Sequence, residues 1–138
     1  MENKNTPLTQ PAIRLGSFVL ECKAPKDLAG FYSKLLGVPL AEESDGWCII
    51  KLPGSGIELS FQRDEEYQPP VWPGSGNEQQ MMAHLDLFTK DRLAAVEYAV
   101  ALGAVVPPVQ YCEPEWNQQW TTLLDPAGHP FCLCDDHL

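Results

Sequence analysis

The chain has 138 residues, of which 44% are apolar, so it is long enough to bury a hydrophobic core without disulfide support. Nineteen Asp and Glu against nine Lys and Arg give a net charge of −10. That balance repels phosphate backbones and anionic lipid, no basic patch or Gly-rich phosphate loop offsets it, and nucleic-acid and membrane partners are excluded. No stretch approaches the ~20 apolar residues that span a bilayer. The first apolar run, Ile13 to Leu20, is broken by Arg14 and does not read as a signal peptide. Five cysteines without a CxxC pair predict free thiols and a cytoplasmic protein.

Residues 1–12 are polar, carry two prolines and lack apolar period, which predicts a flexible tail. Ile13 to Cys22 reads as a strand. Pro25 suits the first turn of a helix over 26–36, in which Leu28, Phe31, Tyr32, Leu35 and Leu36 recur at helical spacing before Gly37 stops it. Strands are predicted at 38–42, 47–52 and 57–62, separated by Asp45-Gly46 and by Pro53-Gly54-Ser55-Gly56. A Pro-rich linker, 65–80, contains Tyr67 and Trp72. The same order then returns: a strand over 82–88, Asp91 capping a helix over 92–102, Gly103, and strands at 105–110, 116–124 and 130–134, with Asp125-Pro126-Ala127-Gly128 as the last turn. Residues 135–138 are read as a short tail. The repeat of strand and helix order indicates two βαβββ modules, 13–64 and 81–134, within one domain over 13–134.

The segments APKDLAGFYSKLLGVPL, HLDLFTKDRLAAVEYAVALGA and DPAGHPFCL, with FQR and YQPPVWP between them, resemble the vicinal oxygen chelate superfamily and its glyoxalase-like branch. The resemblance implies an α+β fold in which two βαβββ modules form a curved mixed sheet around a cavity, with the helices outside. It embraces metal-dependent glyoxalases, extradiol dioxygenases, epimerases, thiol transferases that inactivate fosfomycin, and bleomycin-binding proteins without catalytic metal. Pairing of modules between chains is common in such proteins, which predicts a homodimer.

The family's metal ligands lie on the first and last strand of each module. Carried over by position, they fall on Ser17, Glu58, His84 and Cys132. Imidazole and carboxylate suit Zn, Ni, Mn or Fe, and a thiolate favours Zn, whereas a Ser hydroxyl is a poor ligand, so the metal set reduces to His84, Glu58 and Cys132. The other expectation is no metal at all. Strand alternation places Ser17, Val19 and Glu21 on the cavity face, with Glu58, Ser60 and Gln62, with His84, Asp86 and Phe88, and with Cys132 and Cys134. Glu58, Asp86 or Glu21 then offers a general base and His84 an acid or base. Tyr67, Trp72, Trp116 and Trp120 are candidates for an aromatic pocket wall. His129 is read as a structural turn residue.

Two functions follow from these residues. One is a divalent-metal-dependent lyase, isomerase or dioxygenase with a degenerate metal site. The other is a metal-free protein that binds or sequesters a small drug or metabolite, as bleomycin-resistance proteins do.

Overall fold

The structure is a computed structural model and describes residues 8–74, 76–110 and 119–136. The first half runs β1 (Ser17–Cys22), α1 (Pro25–Leu36), β2 (Leu40–Glu43), β3 (Trp47–Lys51) and β4 (Glu58–Arg63). The second runs β5 (Leu85–Thr89), α2 (Arg92–Ala101), β6 (Trp120–Leu124) and β7 (Pro130–Asp135). Pro25 occupies the first turn of α1, where its missing N–H costs nothing, and Gly37 ends the helix at φ +68°, the left-handed conformation that glycine adopts without strain. Asp91 caps α2 by accepting the amide of Ala94 at 3.1 Å.

The strands form two mixed sheets, one from each half of the chain. In the first, β1 pairs parallel to β4 and the order is β1-β4-β3-β2. In the second, β5 pairs parallel to β7 and the order is β5-β7-β6. Among the described residues, the predicted strand over 105–110 contributes one isolated bridge, between Val105 and Leu124. Pro107 and Pro108 remove two consecutive N–H donors, so no ladder can propagate through them. The strand predicted over 82–88 is shorter at its start, leaving His84 one residue before β5. Of the strand predicted over 116–124, Trp120 to Leu124 is found, and Trp116 lies outside the described residues.

Both sheets give one face to a common core. Cys22, Cys48, Ile50, Leu59 and Phe61 come from the first, and Leu123, Phe131 and Leu133 from the second. Helix α1 fills the space between with Leu28, Ala29, Phe31 and Tyr32. The Tyr32 ring lies 5.7 Å from that of Phe61 and 6.0 Å from that of Phe131, so one side chain touches both sheets. Period-two alternation then turns the opposite faces, which carry the polar candidates, away from this core. Among the described residues no helix is long and apolar enough to cross a membrane.

Candidate functional site

On the second sheet the register fixes a row of three side chains. Asp86 on β5 is the partner of Cys132 on β7, and Cys132 is the partner of Thr122 on β6. Aligned residues in neighbouring strands share a face, so carboxylate, thiol and hydroxyl stand side by side. His84 lies two residues before Asp86, and its Nε2 is 3.1 Å from Asp86 Oδ1. The ligand atoms of His84, Asp86 and Cys132 all lie within 4.8 Å of one another. Cys132 is buried, whereas the side chains of His84 and Asp86 are 37% and 50% exposed, so the group opens to solvent on one side.

Thr122 Oγ1 is 3.3 Å from Cys132 Sγ. Its backbone is held in turn by the Gln110 side chain, whose Nε2 donates to Thr122 O and whose Oε1 accepts from Thr122 N, both at 2.8 Å. Burial pushes the Cys132 thiol up, the Thr122 hydroxyl opposes this, and the Asp86 carboxylate adds to the rise. Burial likewise pushes Cys134, on the same face, up to about 11, with Asp86 contributing. Phe88 stands 67% exposed on this face, and Trp120 shares it as the partner of Cys134.

On the first sheet, Ser17 and Glu58 are partners in the β1–β4 pair, as are Val19 with Ser60 and Glu21 with Gln62. The register also adds Trp47 and Ile49, the partners of Gln62 and Ser60, to this face. Alternation within WCIIK contained that signal, but only the register with β4 fixes which parity faces outward. Ser17 Oγ lies 2.7 Å from the buried Ser60 Oγ.

The four-position metal set implied by the resemblance does not assemble within the chain. Of Ser17, Glu58, His84 and Cys132, only the last two belong to the converging group, and Ser17 spends its neutral hydroxyl on Ser60. Asp86 takes the remaining place beside His84 and Cys132. The donors present therefore do not fit a metal shared between both sheets of one chain.

The linker aromatics lie elsewhere. Tyr67 donates to Ala127 O at 2.8 Å and its ring packs 5.3 Å from that of His129, whose Nε2 is 2.7 Å from Glu21 O. These contacts tie the linker and the β6–β7 turn to the end of β1. Tyr67 lines a hollow of about 330 Å³ with Cys22, Leu28, Pro69 and Ala127, and Trp72 lines another of about 260 Å³ with Val71 and Met81. His84, Asp86 and Cys132 border neither.

Comparison with known proteins agrees with this architecture. Residues 17–134 match the model of the glyoxalase-like domain family, and the chain belongs to that family within the vicinal oxygen chelate superfamily. Among solved structures it resembles a glyoxalase/bleomycin resistance protein/dioxygenase family enzyme from Burkholderia phytofirmans PsJN (TM-score 0.65, 17% identity, covering 89% of this chain and 98% of that one). A glyoxalase-related enzyme from Fulvimarina pelagi aligns with a TM-score of 0.63 at 14% identity, over 89% of this chain and 88% of that one. The bleomycin resistance determinant encoded on transposon Tn5 aligns with a TM-score of 0.56 at 19% identity, over 94% and 100%. A comparison with curated protein sequences finds no significant match.

Proposed function

We propose that the protein binds a small planar ligand as a homodimer, in which the outward face of the first sheet in one chain closes over the outward face of the second sheet in its partner. The carrying observation is the shared core. Because Tyr32 joins the helix-packed faces of both sheets, the faces bearing Ser17, Glu58, His84 and Cys132 are turned away from it, with Val19 38% and Phe88 67% exposed. A second copy covers these side chains and encloses a cavity that a single chain leaves open. Its lining combines carboxylates (Glu21, Glu58, Asp86) with aromatic rings (Trp47, Phe88, Trp120), a composition suited to an aromatic ligand carrying positive charge. The likeness in fold to a bleomycin resistance determinant supports a sequestering role. The free thiols of Cys22, Cys48, Cys132 and Cys134 suit a reducing, cytoplasmic setting.

Light scattering on the purified chain, combined with thermal-shift screening of cationic and anionic planar aromatics, tests this. A dimer dissociated by Phe88→Asp, and a melting temperature raised selectively by cationic aromatics, are the expected results. A monomer at micromolar concentration, or indifference to every aromatic tested, overturns the reading. A metal-dependent lyase, isomerase or dioxygenase is the second reading, favoured by the convergence of His84, Asp86 and Cys132. Turnover of hemithioacetals, catechols or epoxides dependent on added Zn, Ni, Mn or Fe distinguishes it.

A further inference from the structure

We propose that the seam between the two modules holds a second small-molecule site, whose ligand is the monoanion of a free, medium-chain alkyl carboxylic acid. Two hollows of about 330 and 240 Å³ meet there and share Lys23 and Ala24 as walls. The larger is framed by Cys22 and Leu28 from the first module, Tyr67 and Pro69 from the linker, and Pro126 and Ala127 from the second. The smaller is framed by Lys23, Lys26, Arg63 and Asp45. Glu58, His84, Phe88 and Cys132 border neither, so the site is separate from the outward faces of the sheets.

The larger hollow calls for an apolar, aliphatic body. Of the six side chains framing it, only Tyr67 and Cys22 carry a polar atom, and both are committed: the Tyr67 hydroxyl donates to Ala127 O at 2.8 Å and the Cys22 thiol to Gln62 O at 3.8 Å. A polar body would lose its water there without gaining a partner, whereas each methylene buried multiplies affinity about 4-fold. The wall is also preformed, because a Cβ on Gly128 would stand 2.7 Å from Pro69 Cβ, which seats the linker directly on the β6–β7 turn. Binding therefore pays little to order its site. A volume of about 330 Å³ lies at the small end for ligand cavities and limits the chain to medium length.

The smaller hollow calls for one negative charge. Around the two hollows Lys23, Lys26 and Arg63 outnumber Asp27 and Asp45 by one, a local reversal of sign in a chain whose net charge is −10. Lys26 already meets Asp45 at 3.2 Å, and Arg63 meets Glu65 at 3.3 Å. Lys23, the cation bordering both hollows, makes no ion pair among the described residues. A carboxylate beside Lys23 completes the pairing without breaking either contact, and leaves its alkyl chain next to the larger hollow. Asp27, on the wall of that hollow, penalises a second negative charge, so a carboxylate fits where a phosphate monoester does not.

The test is calorimetric titration of the full, untagged chain with butanoate, hexanoate and octanoate below their micelle concentrations, with octanol and octylammonium as head-group controls. Saturable binding of octanoate, affinity rising about 4-fold per added methylene, and weaker binding of both controls are expected. Lys23→Glu weakens octanoate about 5-fold or more and leaves octanol unchanged. Ala127→Leu, which fills the larger hollow, weakens both. Should Ala127→Leu not fold, the exposed Lys23 position decides through its split between octanoate and octanol. Affinity independent of chain length, octylammonium bound as tightly as octanoate, or no effect of Lys23→Glu overturns the proposal. Glu58→Gln and Phe88→Asp leave octanoate binding unchanged, and its loss in either puts the ligand on the outward faces and overturns the proposal as well. The site is independent of the dimer reading: an octanoate-binding monomer sinks only the dimer, and a dimer that takes up cationic aromatics but no octanoate sinks only this site.

Discussion

The hydroxyl of Tyr32 donates to Oδ2 of Asp125 at 2.7 Å, fully buried and across 93 positions of sequence. This bond fastens α1 of the first module to the β6–β7 turn of the second. Asp125 Oδ1 independently accepts the amides of Ala127 and His129 at 2.9 and 3.0 Å, so the turn does not depend on Tyr32. Tyr32→Phe removes the donor and strands one buried carboxylate oxygen, at a cost of about 1–3 kcal/mol. Denaturant unfolding of the variant measures it; a midpoint equal to wild type would show that water replaces the hydroxyl.

Asp125 also predicts how stability depends on pH. Burial raises its carboxyl above the ordinary value, opposed by the Tyr32 hydroxyl, the nearby His129 and the two turn amides. Tyr67 from the linker and Cys22 at the end of β1 face the same carboxyl. The folded state therefore holds this proton more tightly than the unfolded chain. The corresponding stability is complete below the unfolded value, about pH 4, and is lost as pH rises through the folded value. Asp125→Asn keeps an oxygen for the amides and carries no charge, so its unfolding midpoint should vary less with pH across that window. Equal pH dependence in both proteins refutes the assignment.

The shared core makes a prediction about cooperativity. Phe131 is fully buried on β7, yet its ring meets Phe31 at 5.9 Å and Tyr32 at 6.0 Å in the other module. Phe131→Ala should cost roughly 3–5 kcal/mol and lower a single unfolding transition. If circular dichroism resolved two transitions with only the later half shifted, the modules would be folding separately.

Thiol chemistry provides a further check. Burial pushes Cys22 up to about 11, and it is 1% exposed; Cys48 is fully buried. Both should resist alkylation in the native protein near neutral pH and react readily in denaturant, because the thiolate is the reacting form. Peptide mapping after a pulse of iodoacetamide reads each site, and native labelling at Cys22 would contradict the packing at the end of β1.

Most elements were legible because their apolar spacing is strong: Leu28, Phe31, Tyr32 and Leu35 mark α1, and alternation marks β3, β4 and β7. The strand expected over 105–110 was not found because its apolar run conceals Pro107 and Pro108, which matter only once a partner needs their N–H groups. Alternation also put His84, Asp86 and Cys132 on one face. What it did not supply was distance. Convergence depends on the Asp86–Cys132 register, and the separation of Glu58 from that group depends on how the modules pack, both set by contacts remote in sequence. The Tyr32–Asp125 bond and the Gln110 clamp were invisible for the same reason, whereas His129 does serve as a structural turn residue.

The Gln110 amide has a consequence for how molecules of this protein meet. Strand β6 lies at the edge of its sheet, where unpaired backbone groups would template a strand from another chain. Both backbone groups of Thr122 are taken by the Gln110 side chain, and both of Leu124 by Val105. A glutamine thus imitates the strand that the two prolines forbid, and closes this border to β-augmentation. Edge-to-edge polymerisation through these positions of β6 is opposed without spending a charge.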